Sequence, residues 1–168
     1  MKLKVAVQMD PIARINIRGD STFALLLEAQ RRGHEVSYYT PDKLSLRGKD
    51  VVAPAQPLTV RDHQGDHFTL GDAARACLES FDVVLLRQDP PFDTEYIFAT
   101  YLLERAQAEG TLVVNDPRSL RDANEKLFTA WFADVCPPTL VARRQHEIRE
   151  FLAEHGDIVV KPLDGMGG

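Results

Sequence analysis

Leu3-Lys-Val-Ala-Val-Gln-Met9, then Asp20-Ser-Thr-Phe-Ala-Leu-Leu-Leu-Glu-Ala-Gln-Arg-Arg-Gly33, then Glu35-Val-Ser-Tyr-Tyr-Thr40: these three runs decide the fold. The first is apolar at most positions, as a strand buried on both faces must be. The second opens on Asp20 or Ser21 as a helix cap, carries the stripe Phe23, Leu26, Leu27 and Gln30, and stops at Gly33. The third is a second strand. A β-α-β opening favours a parallel sheet. The expected fold class is α/β.

Working outward, Leu44-Ser-Leu-Arg47, Gly48 and Val51 to Val60 read as a hairpin-like insertion, and Ala73 to Ser80 as a short helix. Asp82-Val-Val-Leu-Leu-Arg87 is the clearest buried strand in the chain. Asp89-Pro-Pro-Phe-Asp93 is a loop, because two prolines exclude a helix and a central strand. Thr94 to Glu109 reads as a helix. Phe98, Leu102 and Ala106 form its stripe, Ile97 and Tyr101 lie beside it, and Gly110 ends it. Thr111 to Asn115 is a further strand, and a three-layer unit closes near Leu120.

A second unit begins at Asp122, which with Glu125 resembles a capping box. Leu127, Phe128, Trp131 and Phe132 form an apolar helical stripe. Thr139 to Ala142 reads as a strand. A helix with Ile148, Phe151 and Leu152 inward follows, and a buried strand, Asp157 to Val160, delivers Lys161.

The 168 residues carry a formal charge of −5, which argues against a general nucleic-acid binder. No apolar stretch approaches a membrane span, and the N-terminus lacks the features of a signal peptide. Cys77 and Cys136 match no CxxC pattern and read as reduced thiols of a cytoplasmic protein.

Ligands of open parallel sheets bind beyond the carboxyl ends of the strands. Asp10, Arg87 and Asn115 follow three such ends and would share one rim if the strands are neighbours. Two readings of Arg87 stand side by side: its guanidinium fork holds a ligand carboxylate, or it pairs with Asp89 or Asp93 to fix the loop. Lys126, on position alone, is a solvated residue in a first helical turn. Lys161 precedes the turn Pro162-Leu-Asp-Gly-Met-Gly-Gly168, whose glycines admit close approach of backbone N–H groups to an anion. This ending reads as the front part of a larger nucleotide-using enzyme, cut inside its nucleotide loop. Neither a Walker A motif nor a dinucleotide fingerprint is present. His63 and His67 have an i,i+4 spacing, but they lie in a segment that reads as a solvated turn, not as a metal site.

Four runs carry a resemblance: Asp10-Pro-Ile-Ala-Arg-Ile-Asn16, Arg87-Gln-Asp-Pro-Pro-Phe-Asp-Thr-Glu95, the run from Asn115 to Phe128, and Lys161 to Gly168. Together they resemble the bacterial glutathione synthetase family of the ATP-grasp superfamily. The resemblance implies a Rossmann-like, pre-ATP-grasp substrate domain over residues 1–121, followed by the beginning of an ATP-grasp lid over 122–168. It implies ATP-dependent ligation of γ-glutamylcysteine with glycine through an acyl phosphate. It assigns nucleotide contacts to Lys126, Lys161 and the loop Gly165, Met166, Gly167 and Gly168, reversing the positional reading of Lys126. It assigns the peptide substrate to Arg87, with Asp10 and Asn16 as further candidates. It implies Mg2+ held by residues downstream of Gly168, a homo-oligomer, and no activity from these 168 residues alone. The competing expectations are another carboxylate–amine ligase of the superfamily and a non-catalytic domain that binds an anion or a peptide.

Overall fold

A computed structural model describes residues 1–165. Strands β1 (Lys4–Gln8), β2 (Glu35–Tyr39), β7 (Val83–Leu86) and β8 (Leu112–Val114) form a parallel sheet in the order β2-β1-β7-β8. Val7 of β1 lies between Tyr38 and Leu85. The insertion extends this sheet by antiparallel pairing. Strands β3 (Ser45–Arg47), β5 (Phe68–Leu70) and β6 (Ala74–Cys77) all pair with the long β4 (Asp50–Val60), which joins the sheet beside β2. Gly48 makes the β3–β4 turn at φ +63°, a conformation that favours glycine.

Helices α1 (Ser21–Arg31) and α2 (Thr94–Ala108) cover opposite faces of the sheet. Strand alternation explains the division. Val7, Val36 and Tyr38 pack with Phe23 and Leu26 of α1. Ala6, Val84, Leu86 and Val113 pack with Leu103 and Ala106 of α2. The first unit is thus the expected three-layer α/β arrangement. Asp20, not Ser21, caps α1: its carboxylate accepts from Phe23 N at 2.7 Å. Gln30 completes the predicted stripe by a different route, bonding both the N–H and the C=O of Val60.

Several expectations fail. Ala73 to Ser80 is not a helix. Ala74–Cys77 is strand β6, and only Leu78–Ser80 turns, as a single 3-10 turn. The exposed edge of β4 offers Ala74–Cys77 a backbone ladder, and that tertiary pairing overrides an alanine-rich local preference. Helix α2 is rotated relative to the predicted stripe. It buries Tyr96, Ala99, Thr100, Leu103 and Ala106, while Phe98 is 60% exposed and Tyr101 53%. Tyr101 instead lies under the guanidinium of Arg121, 4.5 Å away.

Helix α3 (Pro117–Asp122), capped by Asp116, ends the first unit, and in the second, helix α4 (Gln145–His155) has no fully buried residue. Asp122 and Glu125 form no capping box. Asn124 takes that role, accepting from the N–H groups of Lys126 and Leu127 at 3.0 Å each. Phe128–Val135 is a 3-10 segment whose Trp131 and Phe132 are exposed. Thr139–Ala142 and Asp157–Val160 are not strands, and Val160 is 65% exposed. Strands need a partner edge, and among the described residues these two segments pair with none.

Tyr39 is buried, its hydroxyl has no hydrogen-bond partner among the described residues, and burial pushes its phenol pKa up. Burying an unpartnered hydroxyl costs free energy. Tyr39→Phe is therefore expected to leave stability unchanged or raise it by up to about 1 kcal/mol. Urea unfolding checks this; a loss beyond about 1 kcal/mol would mean that the hydroxyl has a partner.

Candidate functional site

Strands β1, β7 and β8 are neighbours, so Asp10, Arg87 and Asn115 do share one rim at the carboxyl ends of the parallel strands. Asp10 Oδ2 accepts from the Asp89 N–H at 2.6 Å, which ties the rim to the loop after β7. Beneath it, the fully buried Gln8 donates its Nε2 to Gln88 Oε1, while Gln8 Oε1 has no partner among the described residues. The loop runs through Pro90-Pro91 to Asp93. The Asp93 carboxylate caps α2 by accepting from Tyr96 N at 2.9 Å.

Arg87 does not pair with Asp89 or Asp93 to fix the loop. Its Nε donates to Thr22 Oγ1 and its Nη2 to Ser21 Oγ, both at 3.0 Å, at the start of α1. Asp93 is engaged with α2, so bracing the loop is not the arginine's task. Asp89 is pushed up by burial first, then by the Asp10 and Asp20 carboxylates, with Arg87 opposing. The rim therefore carries one guanidinium among several acidic groups.

Asn16 is exposed in the loop before α1. Its Oδ1 accepts from Arg18 N at 3.2 Å, and its carbonyl accepts from Gly19 N. No side-chain bond links it to Asp10 or Arg87 among the described residues.

The start of the glycine-rich turn folds back on two elements. Asn124 Nδ2 donates to Leu163 O at 2.8 Å, and Phe92 N donates to Asp164 O at 3.0 Å. The Lys126 ammonium donates to Gly165 O and pairs with Glu125 at 2.9 Å. The structure thus brings Lys126 and Gly165 together and joins both to the loop after β7. Lys126 is only 20% exposed, so the solvated-surface expectation from its position fails. Lys161 is exposed and is not brought to Lys126 by any bond. Met166, Gly167 and Gly168 lie outside the described residues.

His67 is not in a solvated turn. It is buried between Phe23 and Phe68, and its Nε2 lies 2.8 Å from Ile12 O. Among the described residues no group of three His, Cys, Asp or Glu side chains comes together as a metal site. No helix of the described residues is long and apolar enough to cross a membrane.

Residues 3–121 match the family model described as "Prokaryotic glutathione synthetase, N-terminal domain", and residues 125–168 match "Prokaryotic glutathione synthetase, ATP-grasp domain". The chain belongs to the prokaryotic glutathione synthetase family. It is 68% identical over 168 residues to the glutathione synthetase of Rhodopseudomonas palustris, covering 100% of this chain and 53% of that protein. It is 52% identical over 166 residues to that of Escherichia coli K12, covering 99% of this chain and 52% of the relative. The chain spans about half the length of the curated relatives it matches. A solved ATP-grasp ligase, PsnB complexed with a minimal precursor, shares the fold at a TM-score of 0.50 and 17% identity, covering all of this chain and 56% of that one. Sequence reasoning missed Ser21 and Thr22 as partners of Arg87 and Asn124 as the anchor of the turn. The Ser21–Arg87 and Thr22–Arg87 pairs span 66 and 65 residues. No local pattern announces contacts across that distance.

Proposed function

We propose that this chain supplies the substrate domain, residues 1–121, and the beginning of the ATP-grasp domain, residues 122–168, of a glutathione synthetase. The observation that carries the proposal is a junction: the Arg87 rim and the Lys126–glycine turn meet at the loop after β7. Such a junction suits a reaction between a carboxylate and a nucleotide phosphate.

The reaction is ATP-dependent ligation of γ-glutamylcysteine and glycine. A carboxylate oxygen of the dipeptide attacks the terminal phosphorus of ATP, the bond to ADP breaks, and an acyl phosphate forms. The glycine amine then attacks the carbonyl carbon, loses a proton, and phosphate departs with the C–O bonding pair. Arg87 binds a substrate carboxylate and, with Asp10 ordering the Asp89 backbone, orients the dipeptide at the rim. Lys126 and Lys161 offset phosphate charge, and the glycine-rich turn closes over the phosphates and excludes water. Asn16 borders the dipeptide. Magnesium would shield phosphate charge when bound, and no described residue is assigned to it. The full-length enzyme acts as a cytoplasmic homo-oligomer on small molecules, not on nucleic acid or membranes.

With full-length protein, ADP release should require both γ-glutamylcysteine and glycine; release indifferent to both would refute the proposal. Lys126→Ala should raise the KM for ATP by about tenfold or more, with the KM for γ-glutamylcysteine within about twofold. Steady-state kinetics with each substrate varied in turn checks this; equal shifts in both would remove the nucleotide assignment. The 168 residues alone, half the length of the relatives, are expected to form no glutathione.

A further inference from the structure

A guanidinium has five N–H groups on a planar fork. In Arg87, Nε–H and one Nη2–H are committed to Thr22 and Ser21, both at 3.0 Å. Those two hydrogens make up one edge of the fork. The opposite pair, Nη1–H and the second Nη2–H, makes no bond to the described residues. A carboxylate is held by two parallel N–H donors, and this free edge supplies such a pair.

The arrangement is not one that helix stability would select. A cation beside a helix N-terminus is disfavoured by the helix dipole. Arg87 nevertheless docks there, against the first two residues of α1. The Asp20 cap offsets part of the cost, and two hydroxyl oxygens replace water on the bound edge. Thr22 is 5% exposed, so its rotamer is fixed by packing. The consequence is a guanidinium whose orientation is set before a ligand arrives, which saves ordering entropy on binding.

We infer that Ser21 and Thr22 are positioning residues: their hydroxyls occupy the Nε–Nη2 edge of Arg87 and present its Nη1–Nη2 edge end-on to a carboxylate of the peptide substrate. The inference rests on the assignment of Arg87 to that substrate. Thr22 is the principal partner, because its bond is sheltered from water. Ser21 is exposed and contributes less.

The test is steady-state kinetics on full-length enzyme carrying Arg87→Met, Thr22→Val, Thr22→Ser or Ser21→Ala. Thr22→Val keeps the shape and removes the hydroxyl. It should raise the KM for γ-glutamylcysteine by about tenfold, with the KM for ATP and kcat within about twofold. Thr22→Ser should restore the wild-type KM, and Ser21→Ala should raise it by about threefold. If Arg87→Met raises the peptide KM and Thr22→Val does not, the positioning inference fails and the substrate assignment stands. If Arg87→Met itself leaves the peptide KM unchanged, the substrate assignment fails. Failure of Thr22→Ser to rescue, or equal shifts in all substrates, would mark a structural role and overturn the inference.

Discussion

Arg87→Met in the full-length enzyme is expected to lower kcat/KM for γ-glutamylcysteine by about two orders of magnitude, equivalent to roughly 2.7 kcal/mol. Methionine keeps much of the aliphatic stem and removes every donor of the fork. The exposed Ser21 hydroxyl regains water, and the methionine stem keeps most of the packing against Thr22, so most of the loss falls on the ligand. Fold stability should change by less than about 1 kcal/mol, because a cation is removed from a helix N-terminus that disfavours it. Kinetics and a urea midpoint on the same variant separate the two roles. Unchanged kinetics with a large loss of stability would make Arg87 a brace for α1. The KM for ATP should stay within about twofold, since Lys126, not Arg87, is the residue bonded to the glycine-rich turn.

The second large effect lies in the core. Leu103 is fully buried on the inner face of α2, against the Ala6, Val84, Leu86 and Val113 face of the sheet. Leu103→Ala should cost about 3–4 kcal/mol through lost transfer free energy and the cavity left behind. That is a large part of a typical domain's stability of about 5–15 kcal/mol. Phe98→Ser, at the position the periodicity alone turns inward, should cost no more than about 0.5 kcal/mol. Urea unfolding followed by far-ultraviolet circular dichroism compares the two. A costly Phe98→Ser with a benign Leu103→Ala would mean that α2 presents the other face.

That contrast shows where the sequence is legible. Strands β1, β2, β7 and β8 and helix α1 are set by short-range signals: continuous apolar runs, an Asp20 cap and Gly33 at φ +80°. The β3–β4 hairpin is announced by Gly48. The face of α2 is announced only in part: Ala106 lies inward as the periodicity has it, but Ala99 and Thr100 win the interior by being small enough to lie against the sheet, while bulkier Phe98 and Tyr101 stay outside. Strand β6 is hidden for a related reason: its alanines pair only because the edge of β4 is available.

The site divides in the same way. Asp10, Arg87 and Asn115 were legible as strand-end residues, since strand ends are a local property and the parallel order makes them neighbours. The partners that give Arg87 its direction were not, because hydroxyls at a helix start read as caps. Lys126 was legible only through its family motif. Its contact with Gly165 spans 39 residues, and on position alone it resembles any solvated lysine.

The most direct test of the central claim follows oxygen atoms. Full-length enzyme would be given ATP, glycine and γ-glutamylcysteine whose cysteinyl carboxylate carries heavy oxygen, and the released phosphate would be weighed by mass spectrometry. An acyl phosphate intermediate transfers one heavy oxygen from the carboxylate to each phosphate, in step with glutathione formed. Unlabelled phosphate, or labelled phosphate without the tripeptide, would contradict the assignment of this chain to an ATP-dependent glutathione-forming ligase.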